Sequence, residues 1–176
     1  MPPTPRDIDL KRSRQSIVRH LEDFPRQLDA LRFGVDRLDL PAFEHAFESG
    51  DPELYTPVQA IERGFGRLQN YMAGMAADGT KLAGLARRRN TGKEPKAQPD
   101  FEALRDANVI TKVLCRSLIA AQKNRSLFEH DYVRVAAGDV YVAVVQLLEV
   151  APQFLDRFAA WIEPYLLSPG PQPANE

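Results

Sequence analysis

The sequence is poor in the residues that small domains use as staples. Cys115 is its only cysteine, which excludes an internal disulfide framework and a thiolate zinc cluster. Its three histidines, His20, His45 and His130, show neither H-x2-H nor H-x3-H spacing, so no helical metal pair forms and no metal or cofactor is expected. No apolar run reaches the roughly eighteen residues that a bilayer-spanning helix requires, so no membrane segment is predicted. The N-terminal MPPTPRD lacks the charged-then-apolar pattern of a secretory leader, and a cytoplasmic location is expected. No stretch alternates apolar and polar residues with period two, which excludes hairpins and points to an all-α protein. Gly64 and Gly66 follow no strand and start no glycine-rich pattern, so they form no phosphate cradle.

What is present suits one globular unit. The chain has 176 residues, and its apolar and charged shares, 44% and 27%, are those of a folded domain rather than a disordered one. A single helical domain over residues 7–166 is predicted, with flexible tails at 1–6 and 167–176. The 23 basic residues nearly balance the 24 acidic ones, which excludes a globally basic nucleic-acid binder. Arginine outnumbers lysine, and its planar guanidinium can still serve a local phosphate site.

Apolar residues recur at helical spacing in four long segments. Residues 8–33 carry Ile17, Leu21, Phe24, Leu28 and Leu31, with Asp7 as the expected N-cap and Pro25 as an expected kink. A short helix is predicted over 41–48, ahead of the breaker Ser49-Gly50-Asp51-Pro52. Thr56-Pro57-Val58-Gln59 reads as a capping box for a helix that Asp78-Gly79 should stop, and a further helical turn is expected over 81–88. Asp100 is the expected cap of one regular helix from Phe101 to about Asn124. Asp139 should cap the last helix, bent at Pro152 and ended by Pro164. These segments predict an antiparallel four-helix bundle with extra short helices near the N-terminus.

Two stretches carry candidate chemistry. RRRNTGKEPK at 87–96 has five basic groups and one acid, in a loop where Arg87, Arg88, Arg89 and Lys93 could track RNA phosphates. Between the last two long helices, NRSLFEHDY gathers Arg125, His130 and Tyr132. An unbroken helix would set positions 125 and 130 about 140° apart, so their convergence requires the helix to end near Asn124 or Arg125.

The R-x4-H-x-Y pattern of Arg125, His130 and Tyr132, between the last two helices of a small all-α protein, resembles the HEPN superfamily and its HepT-like toxins. The resemblance implies a metal-independent endoribonuclease whose catalytic site forms where two copies of the motif meet across a homodimer axis. It implies His130 as proton donor and acceptor, Arg125 as stabiliser of phosphorane charge, and Tyr132 as a positioning group. It also implies a minimal nucleotidyltransferase antitoxin as partner, with Tyr132 as the hydroxyl that such a partner modifies with AMP. Ser126 stands where HepT-like proteins commonly have asparagine. The alternative is therefore a non-catalytic HEPN bundle that binds the nucleotidyltransferase or its substrate.

Overall fold

The computed structural model describes residues 4–49, 55–130 and 136–167, with side chains throughout except at 47, 55 and 124–130. Among the described residues there are six helices and no strand: α1 Pro5–Val35, α2 Leu40–Ser49, α3 Tyr55–Leu82, α4 Gln98–Asp106, α5 Lys112–His130 and α6 Ala137–Leu167. The predicted all-α class holds. Four helices are long (α1, α3, α5 and α6), and α2 and α4 are single short pieces set against their ends.

The helices share one core. Phe24, Phe43, Phe65, Phe101, Phe154 and Phe158 are fully buried within it, each side chain contributing on the order of 1.5–3 kcal/mol of burial free energy. α3 and α6 touch each other and both flanking helices, whereas among the described residues α1 and α5 do not meet. Cross-contacts fix the directions: Ser13 reaches Asp78, Arg67 reaches Gln27, and Arg14 donates to the Tyr165 carbonyl, so α1 runs antiparallel to α3 and α6. α5 packs along α6, from which only residues 131–136 separate it in sequence, so the two run antiparallel. One end of the bundle therefore holds the C-termini of α3 and α6 with α4, and the other holds α2, the start of α6 and the end of α5.

The α1–α3 seam is the tightest. A Cβ placed at Gly34 would lie 2.5 Å from Ile61 Cγ1, and one at Gly64 would lie 3.0 Å from Leu31 Cβ, so a glycine from each helix admits the other. Gly64 thus lets α1 approach α3 closely, while Gly66 faces open space.

Several boundaries differ from expectation. α1 starts at Pro5, inside the segment predicted as tail, because Thr4 is the N-cap. The Thr4 hydroxyl accepts from the Asp7 amide at 3.2 Å and the Asp7 carboxylate accepts from the Thr4 amide at 3.0 Å, which makes Asp7 the N3 member of a capping box. That contact holds the Asp7 carboxyl below its usual pKa. α1 continues through Pro25, which is exposed, so the carbonyl it leaves without a helical donor can be solvated. α3 begins before Thr56 and runs through Gly79 to Leu82, because Gly79 is where Phe158 and Trp161 of α6 press against the helix rather than a stop. Residues 83–88 are not a further helix.

The largest revision is that the helix expected over 101–124 is two. Asn108 takes a left-handed φ of 59°, Val109 donates to the Leu104 carbonyl at 2.9 Å and Asn108 to that of Arg105 at 2.9 Å, which is a Schellman closure of α4. Thr111 then caps α5, its hydroxyl accepting from the Leu114 amide at 3.1 Å. Asp100 is not a cap but the third residue of α4, buried at 6% exposure. At the other end, Asp139 lies in the first turn of α6 rather than before it, and Pro164 sits inside that helix, which ends at Leu167.

Candidate functional site

The motif stretch begins on α5, and α5 is helical through His130. No glycine or proline interrupts the chain between Ile110 and Gly138, which removes the break near Asn124 that intrachain convergence would need. Positions 125 and 130 therefore stand about 140° apart around one helix and roughly 7.5 Å apart along it. Tyr132 lies outside the described residues.

Three contacts hold this end of the bundle. Gln122, one turn before Arg125, is buried, and its Nε2 donates to the Gln69 carbonyl of α3 at 2.9 Å. Tyr141 of α6 donates its hydroxyl to the Leu38 carbonyl at 2.9 Å and packs on Phe43 of α2, with ring centroids 5.6 Å apart. A side chain at Gly138 would meet Glu44 Oε1 at 3.0 Å, so an α2 carboxylate sits against the first turn of α6, where amide dipoles favour negative charge. Gln69 and Gln122 were not legible as site residues, since glutamine on an apolar stripe carries no signal of what it meets.

Along the outer side of α5 and α6 runs a groove of about 300 Å³ lined by Ser117, Ala120, Ala121, Gln146, Leu147, Glu149 and Val150. One turn before Ser117 and one turn before Gln146 stand Val113 and Val142, exposed at 72% and 50%.

Arg87, Arg88, Arg89 and Lys93 occupy the loop between α3 and α4, at the opposite end of the bundle. About 20 Å of α5, from Lys112 to Arg125, lies between that end and the motif. Arg87 Nη1 lies 2.9 Å from Asp100 Oδ1, which also accepts from the Thr80 hydroxyl at 2.9 Å. Arg88 is clasped by Glu94 and Glu102, its Nη2 lying 2.7 Å from Glu94 Oε2. The same guanidinium holds the Glu94 carboxyl down to about 2. Arg89 and Lys93 are exposed.

His20 sits elsewhere, between α1 and α3. Its ring lies 4.7 Å from that of Tyr71 and against Gly74, with Nδ1 buried and unpaired, and burial lowers its pKa. Among the described residues no group of histidine, cysteine and carboxylate side chains is arranged to hold a metal ion, and no helix is long and apolar enough to cross a membrane.

No protein-family model and no curated protein sequence matches the chain. Solved structures do. A tri-AMPylated HEPN toxin of Shewanella oneidensis, in complex with its MNT antitoxin, superposes with a TM-score of 0.64 at 18% identity, over 82% of this chain and 97% of that one. The chain shares the all-helical fold of that toxin. A toxin–antitoxin complex with AMP-PNP matches over 81% of this chain and 97% of its own at 17% identity and a TM-score of 0.63. A tyrosine-to-alanine mutant of the MntA–HpeT pair matches over 82% and 98% at 18% identity and 0.60. Positions 125 and 130 stand at the end of α5, in the half of the bundle that α2 and the start of α6 complete.

Proposed function

We propose that this protein is the toxin of a toxin–antitoxin pair, a metal-independent endoribonuclease acting in the cytoplasm through a site shared by two copies of the chain. The observation that carries the reading is the R-x4-H-x-Y pattern, Arg125 to Tyr132, at the end of α5 in a chain that shares the fold of a HEPN toxin. The continuous helix supports a composite site. With Arg125 and His130 on faces about 140° apart, a second copy supplies the partner group that one chain's own helix holds away. The groove along α5 and α6, with small Ser117 and Ala120 in its floor and exposed Val113 and Val142 beside it, suits the close approach of that second copy.

In this reading His130 of one copy takes the proton from a ribose 2′-hydroxyl, whose oxygen then attacks the adjacent phosphorus. His130 of the other copy gives a proton to the departing 5′-oxygen. The P–O5′ bond breaks, leaving a 2′,3′-cyclic phosphate and a 5′-hydroxyl. Arg125 stabilises the charge that gathers on the phosphorane oxygens, where a fixed guanidinium acts without reorganising. Tyr132 positions the strand and is the hydroxyl at which a nucleotidyltransferase antitoxin would add AMP, closing the site by charge and bulk. The similar structures are toxin–antitoxin complexes, one of them of an AMPylated toxin, which supports this partner.

The test is cleavage of a structured RNA by purified protein in the presence of EDTA. His130→Ala and Arg125→Ala should each lower the rate by about 10²–10⁴-fold with helical content unchanged, and the parent's products should carry cyclic phosphate ends. Parental cleavage by His130→Ala would overturn the assignment.

A further inference from the structure

Loop 83–97 is held more firmly than a connector requires. Asn90 Oδ1 accepts from the Gly92 amide at 2.7 Å, and its Nδ2 donates to the Pro95 carbonyl at 3.2 Å. Glu94 Oε1 accepts from the Thr91 amide at 2.9 Å, and Glu102 accepts from Gln98 Nε2 at 2.8 Å. Arg88 ties Glu94 of the loop to Glu102 of α4, and Arg87 ties the loop's start to the buried Asp100. These bonds fix the loop before any ligand arrives, so binding there loses little conformational entropy.

The same bonds sort the charges. Glu94, Asp100 and Glu102 all face inward onto Arg87 and Arg88, with side-chain exposures of 15%, 8% and 17%. Arg87 and Arg88 are themselves exposed but held in these pairs, whereas Arg89, Lys93 and Lys96 are exposed and lie in no ion pair among the described residues. Lys96, Arg87, Arg88 and Asn90 also line a cavity of about 280 Å³ behind the loop. Among the described residues, none of the large exposed apolar side chains belongs to this loop, so it offers no anchor of the kind that carries a protein–protein contact. Point charges without an apolar centre suit a phosphate backbone.

We infer that loop 83–97 is a preshaped polyanion-binding element that takes the phosphate backbone of single-stranded RNA through Arg89, Lys93 and Lys96, at the end of the bundle opposite Arg125 and His130. Arg87 and Arg88 give the loop its shape and are not themselves the contacts. The inference rests on the ribonuclease reading for its choice of nucleic acid, and the RNA lies across the bundle rather than only at the motif.

The experiment titrates full-length protein with a 2′-O-methyl RNA of roughly 20 nucleotides, which lacks the hydroxyl that cleavage needs, at several salt concentrations. Replacing Arg89, Lys93 and Lys96 together by alanine should weaken binding about tenfold or more at moderate salt and reduce the slope of log K against log salt by about 2, near 0.7 per lost contact. Thermal unfolding should not move, because none of the three side chains has a partner to lose. A triple variant with parental affinity and slope overturns the inference while leaving the motif tests untouched. Loss of poly-L-glutamate binding with RNA binding intact overturns it in favour of an acidic protein partner. If the parent binds no RNA at all, both this inference and the ribonuclease reading fail.

Discussion

His20 is the residue whose chemistry depends most on its surroundings. Burial against Tyr71 and Gly74 lowers its pKa below the ordinary imidazole value, with Arg19 adding to the effect and Asp78 and Asp23 opposing it. The folded state therefore takes up its proton at lower pH than the unfolded state. Stability from this group is complete above the unfolded pKa near 6.5 and is lost as pH falls below it. The melting temperature of the parent should drop between pH 7.5 and 5.5 relative to that of His20→Gln, and parallel curves for the two proteins would refute this account. The neighbours that decide this, Tyr71, Gly74 and Asp78, lie on another helix. In the sequence His20 shows only as a histidine without metal spacing.

At the scale of elements, the split of α4 from α5 shows how far periodicity reaches. Leu104, Ile110, Leu114 and Leu118 are all buried, so the apolar stripe continues across a break that periodicity alone cannot see. The local signals were present in Asn108, a residue that tolerates the left-handed region, and in Thr111, a good N-cap three residues later. Asn108→Val should lower stability by about 1–2 kcal/mol, since a β-branched residue is strained at positive φ, whereas Asn108→Gly should be neutral or better. Thermal melts would show it, with roughly 2–4 °C per kcal/mol for a chain of this size. The cap at Thr4 has a similar lesson. The N-cap expected at Asp7 is Thr4, three residues earlier, because the extended backbone of Thr4 puts Asp7 at the third helical position.

For the whole molecule, the bundle brings residues far apart in sequence to opposite ends of one body. The α5 end that carries Arg125 and His130 is anchored by Gln122 on α3, and the basic loop lies at the other end. In the proposed dimer the α5–α6 face is the contact, so Val142→Arg, at the edge of the groove, should shift the protein to monomer and lower cleavage in parallel. Sedimentation equilibrium measures the first and the RNA assay the second. A monomeric variant that cleaves like the parent would remove the composite site.

The sequence by itself determined the helical class, three of the four long helices and the eight-residue motif, because each depends on spacing within one stretch of chain. Tertiary structure decided the rest. It turned Gly79 from a stop into a contact for Phe158 and Trp161, and Asp100 from a cap into a buried acid between Thr80 and Arg87. It also divided a run of exposed basic residues into ones tied to carboxylates and ones left without an ion pair among the described residues. A residue's role in such places is set by what another helix brings within a few ångströms of it, and a one-dimensional pattern holds no record of that neighbour.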